Sequence, residues 1–178
     1  MSNYILAVCL DCGDTLVDEA TEIRDENGVV VQAELIPGAA DTVRELKRRG
    51  YPLALVADGP VSTFHNILST YRLFDHFDAL AISEDVGVDK PASRMFIHAL
   101  NQLSLTARDY DRVMMVGNNL VRDVKGANQV GLISVWLDWA PRRSKIPADD
   151  TEVPRYTIKT PAELLCLIDS LENERRNI

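Results

Sequence analysis

Carboxylates in this chain stand at the ends of apolar runs and are followed by glycine or proline. The run from Tyr4 ends in Leu10-Asp11-Cys12-Gly13-Asp14-Thr15-Leu16, which places one carboxylate at its tip and a second three residues on, across Gly13. Leu53 to Ala57 ends in Asp58-Gly59-Pro60, Ala79 to Ile82 leads to Asp89-Lys90-Pro91, and Val113 to Val116 leads to Gly117-Asn118-Asn119 with Asp123 shortly after. If these runs are neighbouring strands, acids, amides and one lysine converge at one end of a sheet. A carboxylate that faces a bound divalent cation and an ammonium can attack phosphorus, because the cations offset its repulsion from the phosphoryl oxygens. The Asp58 and Gly59 N–H groups form either an ordinary turn or a nest that cradles phosphate.

The elements that must position these groups follow from periodicity. The unbroken apolar runs, together with Ile133 to Leu137, read as buried strands. Between them Ala39, Val43 and Leu46, then Met95, Phe96, Ala99, Leu100 and Leu103, then Val121, Val124 and Ala127 have helical spacing. Alternation of this kind predicts an α/β fold, a doubly wound Rossmann-like parallel sheet with helices on both faces, spanning residues 1–178 as one domain. In such sheets ligands sit beyond the carboxyl ends of the strands. Two segments interrupt the pattern. Residues 18–35, with Glu26-Asn27-Gly28 between two β-type stretches, predict a short flap hairpin. Residues 138–155, with Pro141, Pro147 and Pro154, predict an irregular loop whose Arg142 and Arg143 would meet either solvent or an anionic substrate. A helix with Thr160 as N-cap then closes the chain, and the polar residues 172–178 read as a frayed tail.

The chain has 178 residues, 46% hydrophobic and 26% charged, which is ordinary globular usage. With 19 Lys and Arg against 27 Asp and Glu the net charge is −8, the wrong sign for general nucleic-acid binding or for coating an anionic membrane. Its apolar runs fall well short of the roughly 20 residues of a membrane-spanning helix. The three cysteines, Cys9, Cys12 and Cys166, are an odd count, and the first residues lack a secretory-signal pattern, so a reduced, cytoplasmic setting is expected.

The order and spacing of the strand-end motifs resemble the haloacid dehalogenase superfamily of phosphohydrolases. Asp11-Cys12-Gly13-Asp14-Thr15-Leu16 is similar to the family's first motif, D-x-D-G-T-[LV]. Leu53 to Ala57 corresponds to its second, a strand ending in Ser or Thr, and Lys90 before Pro91 to its third. Gly117-Asn118-Asn119-Leu120-Val121-Arg122-Asp123 with Gly126-Ala127 corresponds to its fourth. The resemblance implies a Mg²⁺-dependent phosphatase that forms an aspartyl-phosphate on Asp11, oriented by Lys90. Asp11, the Gly13 carbonyl, Asn118 and Asp123 would form the metal site, and Ala57, Asp58, Gly59 and Lys90 would face the phosphoryl group.

Three positions depart from the pattern. Gly13 stands where the family's phosphatases carry the acid that protonates the leaving group, Ala57 replaces a hydroxyl, and Asn118 replaces a metal carboxylate. Asp14 is the candidate to supply the missing acid if its loop swings that side chain toward the leaving group. The departures leave open a degenerate member that binds a phosphorylated ligand or partner without efficient turnover, and carbon–halogen hydrolysis is a more distant alternative. The chain lacks a full cap domain between Gly59 and Lys90, so its site would admit a phosphorylated small molecule or macromolecule, or be roofed by a second subunit of a homo-oligomer.

Overall fold

A strand buried on both faces has to feed two apolar layers, because successive side chains point in opposite directions. In the computed structural model, which describes residues 3–176, β1 (Ala7–Leu10) sends Val8 and Leu10 into one core and Ala7 and Cys9 into the other. The hairpin β2 (Val17–Arg24) and β3 (Val30–Leu35) follows, then α1 (Ala39–Arg48), β4 (Leu53–Ala57) and α2 (Val61–Thr70). Next come β5 (Ala79–Ile82), the single turn α3 (Ser83–Val86), α4 (Ser93–Gln102) and β6 (Val113–Gly117). A π-helical turn, Leu120–Val124, runs into α5 (Lys125–Val130), and β7 (Ile133–Leu137), β8 (Tyr156–Ile158) and α6 (Glu163–Arg176) complete the order.

Six strands form one parallel sheet in the order β5-β4-β1-β6-β7-β8. This is the expected doubly wound sheet. The chain winds outward from β1 through β4 to β5 and then returns to β6 on the other side of β1, so winding reverses between β1 and β6. Residues of α1, α2 and α6 pack on the face that carries Val8 and Leu10, and those of α4 and α5 on the face that carries Ala7 and Cys9. The second face is lined by Ala7, Ala54, Ala79 and Ala81, whose small side chains leave room for Met95, Phe96 and Leu100 of α4. Gly126 lets α5 approach: a Cβ there would overlap the Phe96 ring.

The flap forms where expected. Asp25 Oδ1 accepts the N–H groups of Asn27 and Val29, and Gly28 takes φ +80°, the left-handed conformation this turn needs. Its far strand is docked on α2: Thr63 Oγ1 accepts the Val30 N–H at 3.1 Å and the Tyr71 hydroxyl donates to the Ala33 carbonyl at 2.8 Å. Among the described residues no domain-sized cap is inserted. The sixth strand, β8, is an addition to the sequence reading. It is three residues long and pairs with Val135 to Leu137 at the sheet edge, too short for periodicity to reveal. Among the described residues no helix is long and apolar enough to cross a membrane.

The expected frayed tail is corrected over its described part: α6 continues to Arg176, while residues 177–178 lie outside the described residues. Glu172 is the reason. Its carboxylate is buried and accepts the N–H groups of Tyr4 and Ile5 at 2.8 and 2.9 Å and lies 3.3 Å from the Tyr51 hydroxyl, so it closes the lead-in to β1. Glu172→Ala leaves these buried donors unpaired and should cost about 2–3 kcal/mol in denaturant unfolding, whereas exposed Glu174→Ala should change stability by less than about 0.5 kcal/mol. Equal costs for the two would remove Glu172 from the fold's support.

Candidate active site

The strand ends meet around one buried ammonium. Lys90, 4% exposed, reaches from the loop between α3 and α4 to the end of β1, where its Nζ donates to Asp11 Oδ1 at 2.7 Å, Asp123 Oδ1 at 2.7 Å and the Val56 carbonyl at 2.9 Å. Burial works against its charge, but Asp11, Asp123 and Asp58 outweigh that and raise its pKa. Asp123 is pushed up to about 7, chiefly by burial and then by repulsion from Asp11, against the pull of Lys90. One cation between two carboxylates leaves a surplus negative charge, which is why the lysine is held charged while Asp123 resists ionisation.

Asp123, expected at a metal, has both oxygens engaged within the protein: Oδ1 with Lys90 and Oδ2 with the Asn119 N–H at 3.0 Å. It fits there because position 117 is glycine, since a Cβ on Gly117 would come within 2.6 Å of the Asp123 Cβ and nearer still to its carboxylate. Asn119 caps the π-helical turn by accepting the N–H groups of Val121 and Arg122. Asp11, 9% exposed, uses Oδ1 on Lys90, and only Thr15 Oγ1, at 3.5 Å, approaches Oδ2. Asp58 accepts the Lys90 N–H at 2.9 Å and pairs with Arg122 at 3.1 Å. Burial raises its pKa, in part against the pull of Lys90.

A cleft opens above these groups, lined among others by Asp11, Gly13, Glu19, Asp58, Lys90 and Asn118. Three expectations are corrected by its walls. Ala57 is not among the lining residues, because as the inward-facing end of β4 it packs its methyl into the core with Phe64 and Ile67. The Gly59 N–H donates to Ser83 Oγ at 3.0 Å, so it serves the turn rather than standing free for phosphate. Asp14, fully buried at φ +50°, turns away from the cleft: Oδ1 accepts the Glu19 N–H at 3.2 Å and meets the Arg142 guanidinium at 2.9 Å. Burial raises the Asp14 pKa against those partners. It secures the base of the flap and has no path to a leaving group.

Arg142 and Arg143 are partly exposed but tied to the flap by ion pairs, and Arg143 also lines the cleft. Arg142 pairs with Asp14 and with Asp18 at 2.8 Å, and Arg143 with Glu19 Oε2 at 2.8 Å, so the irregular loop grips the flap. No local pattern singles out Glu19, one acid among several on β2. Its carboxyl lies over Gly13, where a Cβ at position 13 would fall 2.9 Å from its Cδ and overlap Oε1. Burial raises the Glu19 pKa, helped by Asp14 and opposed by Arg143. The glycine in the first motif was the available signal, since a missing side chain in a tight loop leaves room that another element can fill. Cys9 and Cys12 are buried and free, and burial pushes the Cys9 thiol up to about 12, which fits packing and not redox chemistry.

Among the described residues no three His, Cys, Asp or Glu side chains gather as a metal cluster. Asp11, Gly13 and Asn118 line the cleft side by side, so the Asp11 carboxylate, the Gly13 carbonyl and the Asn118 amide are the oxygen groups that a cation there could use. The Asn118 NH₂ is buried without a hydrogen-bond partner; with the amide turned over, the unpartnered atom is an oxygen, which a cation would satisfy. An all-oxygen set with few carboxylates suits Mg²⁺, which keeps several waters and completes its shell with substrate oxygens.

Known proteins place this arrangement. The chain is 28% identical over 138 residues to the glyceraldehyde 3-phosphate phosphatase of Methanopyrus kandleri, covering 78% of this chain and 58% of that protein. It is 33% identical over 140 residues to the enzyme of the same name from Pyrococcus furiosus, covering 78% and 55%. The chain thus spans little more than half the length of these relatives. The crystal structure of the HAD-hydrolase YfnB from Bacillus subtilis, bound to magnesium, superposes with a TM-score of 0.66 at 27% identity, over 76% of this chain and 56% of YfnB. Residues 9–131, which run from within β1 through α5 and include every group around Lys90, match the haloacid dehalogenase-like hydrolase description. The chain belongs to the haloacid dehalogenase-like hydrolase family.

Proposed function

We propose that this chain hydrolyses phosphate monoesters of small molecules through a phosphoryl intermediate on Asp11. The observation that carries the reading is the Lys90 bridge: Asp11 is fixed at the carboxyl end of β1 with one oxygen on the ammonium and the other free of strong partners. That is the arrangement a carboxylate nucleophile needs, because its attacking oxygen is oriented while its charge is partly offset. The phosphatase names of the relatives support the same reaction class. Lys90 also draws the phosphoryl group toward Asp11, and Asp123 acts through Lys90 by holding its Nζ in place.

Mg²⁺ fits beside Asp11, the Gly13 carbonyl and Asn118, where it would offset charge on the phosphoryl oxygens. Asp123 stands behind Lys90 and not among those donors.

Wild-type protein with Mg²⁺ should release phosphate from p-nitrophenyl phosphate or from members of a panel of phosphorylated metabolites. Asp11→Asn should lose this activity by about 10³-fold or more. Acid-quenched wild type should carry a phosphoryl adduct by intact-mass spectrometry that Asp11→Asn lacks; an adduct on both proteins would move the nucleophile elsewhere. A carboxylate at position 118 adds a ligand charge, so Asn118→Asp should tighten Mg²⁺ about tenfold in titration calorimetry. Unchanged affinity would take Asn118 out of the metal site.

A further inference from the structure

Breaking an alkyl phosphate requires a proton for the departing alkoxide, and hydrolysing an acyl phosphate requires a base for the attacking water. Most carboxylates that line the cleft are already committed. Asp11 is the nucleophile of the reading above, Asp123 is held by Lys90 and Asn119, Asp58 is held between the Lys90 N–H and Arg122, and Glu22 pairs with Arg24. Glu19 remains. It enters from β2 with Oε2 fixed by Arg143 at 2.8 Å, while Oε1 makes no hydrogen bond or ion pair among the described residues. That free oxygen lies over Gly13, two residues beyond Asp11, in space that any side chain at position 13 would occupy. The backbone at Gly13 does not take a positive φ, so conformational freedom does not account for glycine there. Room for the Glu19 carboxyl does.

We propose that Glu19 is the acid and base of the reaction, supplied by the flap, with Arg143 as its positioning residue. In the first step an Asp11 oxygen bonds to phosphorus, the bond from phosphorus to the ester oxygen breaks, and the Glu19 proton passes to that oxygen to give the alcohol. In the second, Glu19 carboxylate takes a proton from water as the water oxygen attacks phosphorus. The bond from phosphorus to Asp11 then breaks, which releases inorganic phosphate and restores both side chains. Ester and water go in, alcohol and phosphate come out.

The inference rests on Asp11 as nucleophile, and the test separates the two. Glu19→Gln, Glu19→Ala, Gly13→Asp and the Glu19→Ala/Gly13→Asp double variant are compared with wild type and Asp11→Asn. The substrates are p-nitrophenyl phosphate, whose leaving group needs no proton, and an alkyl phosphate. Glu19→Gln should lose about 10²–10⁴-fold of alkyl phosphate turnover and keep its first step on p-nitrophenyl phosphate. Its phosphoryl adduct should therefore persist in acid-quenched intact-mass spectra after the wild-type adduct has decayed. Glu19→Ala/Gly13→Asp returns a carboxyl to the same space from the loop after β1 and should recover at least tenfold over Glu19→Ala. Gly13→Asp alone, with Glu19 still in that space, should gain nothing over wild type. Glu19→Gln within about threefold of wild type on the alkyl ester, beside inactive Asp11→Asn, would overturn the role of Glu19 and leave the phosphatase reading standing. Should Glu19→Gln fail to fold, absence of recovery in the double variant would overturn it equally. Wild type without adduct or phosphate release would overturn both.

Discussion

The buried Lys90 ammonium is the constraint around which the rest is arranged. Its three partners come from three places: Asp11 at the end of β1, Val56 in β4, and Asp123 in the turn after β6. A charge taken out of water is tolerable only when it is paired and hydrogen-bonded, and a buried pair deprived of one partner typically loses about 3–5 kcal/mol. The sheet must therefore bring β1, β4 and β6 side by side with their ends level, which the order β4-β1-β6 does. Gly117 serves the same constraint, since only a residue without Cβ lets the Asp123 carboxylate settle against the strand.

A second set of charges holds the flap over the site. Asp14, Asp18 and Glu19 at the foot of β2 are matched by Arg142 and Arg143 from the loop after β7, two segments separated by more than a hundred residues of sequence. The other edge of the hairpin leans on α2 through Thr63 and Tyr71. A two-stranded hairpin alone is marginal in water, so these contacts and the burial of Val30 and Ala33 account for its order. Between them the hairpin and the proline-rich loop wall the cleft, through Glu19, Glu22 and Arg24 on one side and Arg143 on the other. The proposed role of Glu19 would give that closure a chemical purpose, with the flap both walling the cleft and supplying a carboxyl to it.

The departures in the first, second and fourth motifs acquire different meanings in three dimensions. Gly13 leaves a gap at the loop, and the gap is filled by Glu19. Ala57 faces the core, so its missing hydroxyl is a matter of strand orientation as well as residue type. Asn118 lines the cleft with one charge fewer than a carboxylate, and the end of its amide that lacks a protein partner is open to either orientation of the group.

Local pattern along the chain is enough to define the sheet and the groups at its carboxyl ends. Five runs such as Leu53 to Ala57 are too apolar for anything but buried strands, and a parallel sheet places their terminal residues side by side. It defines the flap as well, because Asn27-Gly28 between β-type stretches leaves few other options. Which acids belong to the site depends on contacts made in three dimensions. Asp14 and Glu19 lie on adjoining stretches and carry the same chemistry, yet φ +50° at Asp14 and the pull of Arg142 turn one away, while Arg143 and the gap at Gly13 draw the other in. The same holds for Glu172, polar and near the end of the chain, whose burial depends on the Tyr4 and Ile5 N–H groups far away in sequence. Periodicity encodes which face of a strand or helix is apolar; the partner of a charge is set by contacts between segments distant in sequence, which no local pattern records.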